Sequence, residues 1–69
     1  MPTSVYKVIE VVGSSPESWE KAAQLAIETA SRSLRDLRVA EVEALDVHVE
    51  NGKIAAYRAK MKLSFKFED

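Results

Sequence analysis

The feature that most constrains this chain is a hairpin signal too long for the rest of the sequence to cover. Asn51-Gly52 is a favoured dipeptide for a two-residue turn between antiparallel strands. Alternating residues flank it, from about Val39 to Glu50 and from Lys53 to Phe67. Strands of that length span ~40 and ~50 Å at ~3.3 Å per residue. The remaining sequence supplies one helix, expected from about Pro16 to Asp36, which reaches ~31 Å at ~1.5 Å per residue. One helix cannot cover both strands, so the uncovered part points to other copies of the same chain.

Length leads to the same expectation. Residues 1–69 make a single domain, and a chain this short buries only ~60% of its unfolded surface, so its stability calls for a staple. With no cysteine and one histidine, neither disulfides nor a thiolate or histidine zinc site can provide one. Self-association remains. A net charge of −1, with acids and bases interspersed, gives no extended basic surface, so neither nucleic acid nor a membrane is an expected partner. Met1-Pro2-Thr3-Ser4 has no signal-peptide character and no apolar run approaches a membrane span, which makes the cytoplasm the expected compartment.

The chain reads as α+β, in the order β-α-β-β. Val5 to Val12 is β-branched and apolar on both faces, as expected of a strand covered on both sides, and Gly13-Ser14-Ser15-Pro16 is expected to break it. Ser15 before Pro16, or Ser14 with Glu17, could cap the helix that follows. Trp19, Ala22, Ala23, Ala26, Ile27, Ala30, Leu34 and Leu37 recur at helical spacing, and the alanines permit close approach to a sheet. Glu17 and Glu20 near the start, with Arg32, Arg35 and Arg38 near the end, complement the helix dipole. A right-handed crossover followed by an antiparallel hairpin gives a three-stranded antiparallel sheet in the order 1-3-2.

An uninterrupted register from the Asn51-Gly52 turn makes the numbers of every facing pair sum to 103. Glu43 then faces Lys60, Glu41 faces Lys62, Val42 faces Met61, Ala40 faces Leu63 and Ala44 faces Ala59. The Glu/Lys ladder reads as a solvated face, with Arg58 and Leu45 on it. Arg58 is the donor there able to grip a planar acceptor or a phosphate with two hydrogen bonds. Asp46 falls opposite Tyr57 on the helix side, where a lone buried carboxylate would be costly. It therefore belongs beyond the helix, in water, beside another copy, or on a hard cation such as calcium gathered by several copies. His48 reads as solvated, and Trp19 as core or subunit contact. The sequence assembles no nucleophile with its base, no phosphate-cradling glycine loop and no paired catalytic carboxylates, so the chain is not expected to be an enzyme.

The segment SVYKVIEVVGSSPESWEKAA, the helix after it, RVAEV, the Asn51-Gly52 turn and the terminal KLSFKFED resemble the dodecins over essentially the whole chain. The resemblance implies a sheet around one helix, a homododecameric hollow shell, and flavin binding and storage in place of catalysis. In flavin-binding dodecins the second strand opens with a tryptophan that stacks on the flavin; here Val39 stands there. The glutamine that hydrogen-bonds the flavin from the third strand is replaced by Arg58, and the basic residue many bacterial members carry later in the second strand is replaced by Asp46. The sequence is most similar to a tryptophan-lacking, calcium-binding branch of the family, which implies calcium as the bound species with Asp46 as a ligand. Tight flavin binding is not expected, because a stacked aromatic is worth ~1–3 kcal/mol per base in nucleic-acid systems and valine offers no π-face. The expected function is thus cation or small-ligand storage in a dodecameric shell. The alternatives are flavin or nucleotide-like cofactor storage with an altered pocket, or a structural assembly without ligand.

Overall fold

Both residues of the Asn51-Gly52 turn adopt left-handed backbone angles, φ 53° and 73°, which is the twist that lets a two-residue turn join adjacent strands. The computed structural model describes residues 4–66, and around this turn it builds the elements β1 (Tyr6–Ser15), α1 (Trp19–Ser31), β2 (Leu37–Glu50) and β3 (Lys53–Lys66). Phe67, the expected end of the last strand, lies outside the described residues. The three strands form one antiparallel sheet in the order β1-β3-β2, as the crossover argument requires. The longest dimension is 52 Å against 20 and 16 Å for the other two.

The helix is shorter than its apolar periodicity suggests. Ser18, extended at φ −169°, caps it by accepting a hydrogen bond from the Lys21 backbone N–H at 3.0 Å, so neither Ser14 nor Ser15 is the cap. Ser15 instead accepts from the Glu17 N–H at 3.0 Å and shapes the turn into the helix. At the far end Arg32 and Ser33 bond back three residues, to Thr29 and Ala30, tightening the last turn. Asp36 at φ 56° then reverses the chain. Arg35 and Arg38 therefore lie past the helix, Glu17 lies before it, and Leu34 and Leu37 continue the stripe only in sequence. At ~1.5 Å per residue the helix is ~20 Å long, so the hairpin outruns it by more than the sequence implies.

Gly13 does not break β1; the strand continues through it to Ser15. A Cβ placed on Gly13 would lie 2.9 Å from the carbonyl carbon of Ala22, 3.0 Å from the Ala26 Cβ, and closer still to the Ala22 carbonyl oxygen. Glycine is required there because strand and helix backbones touch. Ala22, Ala26, Ala59, Met61 and Leu63 form the buried core at that contact, with Ile9, Val11, Ala23 and Ile27 packed around it. The helix lies over β1 and β3 and scarcely meets β2. Only one face of β1 is covered within the chain: Ile9 and Val11 are half-buried, while Val8 and Val12 stay exposed.

β1 and β3 pair without interruption, but β2 meets β3 with register shifts between Leu37 and Val39, between Val42 and Ala44, and between His48 and Val49. Val42↔Met61, Glu41↔Lys62 and Ala40↔Leu63 face each other as expected. Glu43 does not face Lys60, and Ala44 does not face Ala59. Glu43 is the extra residue of a bulge, Ala44 faces Lys60, and Leu45 faces Ala59. Because paired residues share a face, Leu45 belongs to the helix side with Ala59, and Asp46, which faces Arg58, belongs to the opposite side. Both assignments reverse the uninterrupted register.

Candidate functional site

The face turned away from the helix is built in rows. β3 alternates regularly, with Ala59, Met61 and Leu63 buried under the helix, so Arg58, Lys60, Lys62 and Ser64 point the other way. The neighbouring strands complete the rows as Ser14–Arg58–Asp46, Val12–Lys60–Ala44, Glu10–Lys62–Glu41 and Val8–Ser64–Val39.

In the first row Arg58 donates from Nε to Asp46 Oδ1 at 2.7 Å and from Nη2 to Asp46 Oδ2 at 3.0 Å. The match of planar guanidinium to carboxylate is two-pronged and charge-assisted. Hydrogen bonds from Arg58 hold the Asp46 carboxyl below its ordinary 3.8, and the same contact raises Arg58. Both side chains remain open to solvent, at 47% for Arg58 and 53% for Asp46. Asp46 is also fixed through its backbone, since its carbonyl accepts the Trp19 indole N–H at 3.0 Å. Trp19 in turn meets Tyr57 edge-on, with ring centroids 5.0 Å apart.

Two rows away Lys62 is ringed by carboxylates. Glu10 and Glu41 face it from the flanking strands, and its Nζ lies 3.2 Å from Glu43 Oε2. The hydrogen bond from Lys62 is the first cause that lowers Glu43, and the same bond raises Lys62. The bulge thus delivers Glu43 to Lys62 instead of Lys60. His48 is solvated as expected, with its Nε2 3.5 Å from Glu50 Oε2.

Val39 and Arg58 do lie on the same face, away from the helix, but Ser64, the partner of Val39, is six positions along β3 from Arg58. That is ~20 Å at ~3.3 Å per residue, so one chain does not bring the two together. Nor does one chain supply a calcium site. Among the described residues no group of three or more histidine, cysteine or acidic side chains is placed to hold a metal ion, whereas calcium takes ~6–8 oxygen ligands. On the helix side a largely apolar groove of ≈ 570 Å³ runs between β1 and α1, lined by Ile9, Val11, Leu25, Ala30 and Leu34 among others.

The Asp46–Arg58 pairing carried a signal in the sequence. Setting aside Leu37, Val39 and Ala44, the apolar residues of β2 occupy even positions at Ala40 and Val42, then odd ones at Leu45, Val47 and Val49. That change of parity marks the extra residue at Glu43. The bond from Trp19 to the Asp46 carbonyl has no such signal.

The family model for dodecins matches residues 5–68. The chain belongs to the dodecin family. Among dodecins it is 48% identical over 63 residues to the calcium dodecin of Mycobacterium tuberculosis, covering 91% of this chain and 89% of that one. The crystal structure of that calcium dodecin, described as a calcium-chelating immunodominant antigen with a novel calcium-binding site, superposes with a TM-score of 0.84 at 46% identity over 94% and 93% of the two chains. The dodecin of Streptomyces coelicolor superposes with a TM-score of 0.94 at 36% identity, over 100% and 99%. The dodecin fold, with its β-α-β-β order, is therefore common to these relatives and this chain.

Proposed function

We propose that this dodecin is a non-enzymatic binding and storage subunit that assembles into a homododecameric shell, takes up a hard cation of the calcium type between copies, and does not hold flavin tightly. The observation that carries the reading is the row containing Arg58: its guanidinium is already engaged by Asp46, and Val39 offers no aromatic platform to complete a flavin pocket. Sequence similarity to a calcium dodecin supports the choice of cation.

Self-assembly is supported by what the chain leaves uncovered. Val42 is 50% exposed and Leu45 51%, with Val49 and Ile54 similarly open at the hairpin end. Apolar patches of this kind mark contact surfaces. A lone Asp46 per chain cannot make a calcium site, so the cation belongs where symmetry brings copies of it together. The residues of a single chain do not by themselves fit the ion.

Light scattering and calorimetry test this together. The purified protein should be colourless, run as a dodecamer and bind calcium saturably, with binding lost in Asp46→Ala while the assembly persists. Absence of calcium binding at millimolar concentration would sink the cation reading, and a monomer would sink the shell.

A further inference from the structure

The geometry points to a second site: we propose that Arg58, with Ser14 and Lys60 beside it, is an oxyanion-binding site, for a phosphate or carboxylate group, that Asp46 occupies from within the same chain. Asp46 presents to the guanidinium the two coplanar oxygens that a bound carboxylate or phosphate would present, at 2.7 and 3.0 Å. The three residues of the row lie side by side on one face, because β1 and β2 place Ser14 and Asp46 directly opposite Arg58 on either side.

The surroundings suit an anion once the carboxylate moves. Ser14 is exposed and can donate its hydroxyl from the β1 side. Lys60 lies one row further along the same face and, among the described residues, has no carboxylate within ion-pair distance. Lys62, by contrast, is committed to Glu43. The Arg58 guanidinium fork therefore has a hydroxyl on its β1 flank, opposite Asp46, and an ammonium one row along the same face.

Asp46 is also well placed to leave. Its side chain is half exposed, while its backbone is held by Trp19, so a rotation about the side-chain bonds would clear Arg58 without moving the strand. A carboxylate tethered this closely acts as a competitor at an effective concentration on the order of millimolar. Oxyanion affinity in the unaltered protein is accordingly weak, and removal of the Asp46 charge should unmask it. This inference does not depend on the calcium reading.

Isothermal titration with inorganic phosphate, phenyl phosphate and acetate tests it on the assembled protein and on Asp46→Asn, Arg58→Gln and the double variant. Asp46→Asn should bind phosphate more tightly than the unaltered protein, by about 5-fold, and the gain should vanish when Arg58→Gln is added. Tighter binding of phenyl phosphate than of inorganic phosphate would assign the site to an organic phosphate, equal binding to the free ion, and a preference for acetate to a carboxylate. No gain in Asp46→Asn, with its assembly confirmed by light scattering, would overturn the proposal; so would a gain that survives Arg58→Gln. Calcium titrations on the same samples keep the two readings apart, since calcium binding can fail while the phosphate gain stands.

Discussion

Gly13→Ala offers a quantitative test of the strand–helix contact. The added methyl would meet backbone atoms, with the Ala22 carbonyl carbon at 2.9 Å and its oxygen nearer, where ordinary contact begins at 3.4 Å. A flexible side chain could swing aside, but a helix backbone cannot. Overpacking of this kind costs ~1–3 kcal/mol, and the rigid partner puts the substitution at the upper end. Against it stands a gain of ~0.4–1 kcal/mol from the reduced freedom of the unfolded chain. The net loss is then ~2 kcal/mol, a sizeable share of the ~5–15 kcal/mol typical of a folded domain. With a urea slope of ~1 kcal/mol/M for so small a chain, the midpoint should fall by ~2 M. Gly52→Ala is the control, because its cost comes from the backbone angle of +73° with nothing within 4 Å of the new Cβ. A left-handed alanine costs ~1–2 kcal/mol, and the same unfolded-state gain reduces that to ~1 kcal/mol. Urea unfolding should be followed at one fixed protein concentration, since assembly shifts apparent stability. A Gly13→Ala midpoint at or above that of Gly52→Ala would refute the claim that the backbones of β1 and α1 are in contact.

Leu63→Ala and Met61→Ala, at 0% and 1% exposure, should each lose ~2–5 kcal/mol in the same assay, because the core has few large side chains to close the gap. Acid should weaken the protein through Asp46 and Glu43. Both carboxyls lie below their ordinary values of 3.8 and 4.5, so the stability they add is present above those values and is lost as pH falls through the lower folded ones. The urea midpoint measured from about pH 7 down to about pH 3 should therefore drop less for Asp46→Asn/Glu43→Gln than for the unaltered chain. Val39→Trp should restore riboflavin fluorescence quenching. Val39 is open to solvent, so the ring is accommodated, and ~1–3 kcal/mol of stacking corresponds to a ~5–150-fold gain in affinity.

The elements legible from the sequence were those governed by local rules. Asn51-Gly52 specifies its turn by backbone angle alone, and the strand order follows from the hand of the crossover. The helix ends were less legible because Leu34 and Leu37 keep the apolar period after the hydrogen bonding has tightened and Asp36 has turned the chain. Gly13 looks like a strand breaker in sequence because only the folded contact with Ala22 explains it. Of the residues proposed for the site, Val39 and Arg58 were placed on the correct face. Asp46 was placed on the wrong one because Ala55, an extra residue on β3, shifts the register by one beyond Val49 and the extra residue at Glu43 restores it, so the pairing of residues 44 to 48 is inverted.

Those interruptions in β2 bear on what may join the sheet. With β3 in the middle, β1 and β2 are both edges, and a flat fourteen-residue edge would be a template for open-ended strand addition and fibril growth. Three breaks in register twist and bend β2, so a second strand laid along it cannot keep pairing for its full length. The irregular edge thus filters partners by curvature. It favours a closed particle of finite size over an endless ribbon, and a variant that straightened β2 by deleting Glu43 would put that restraint at risk.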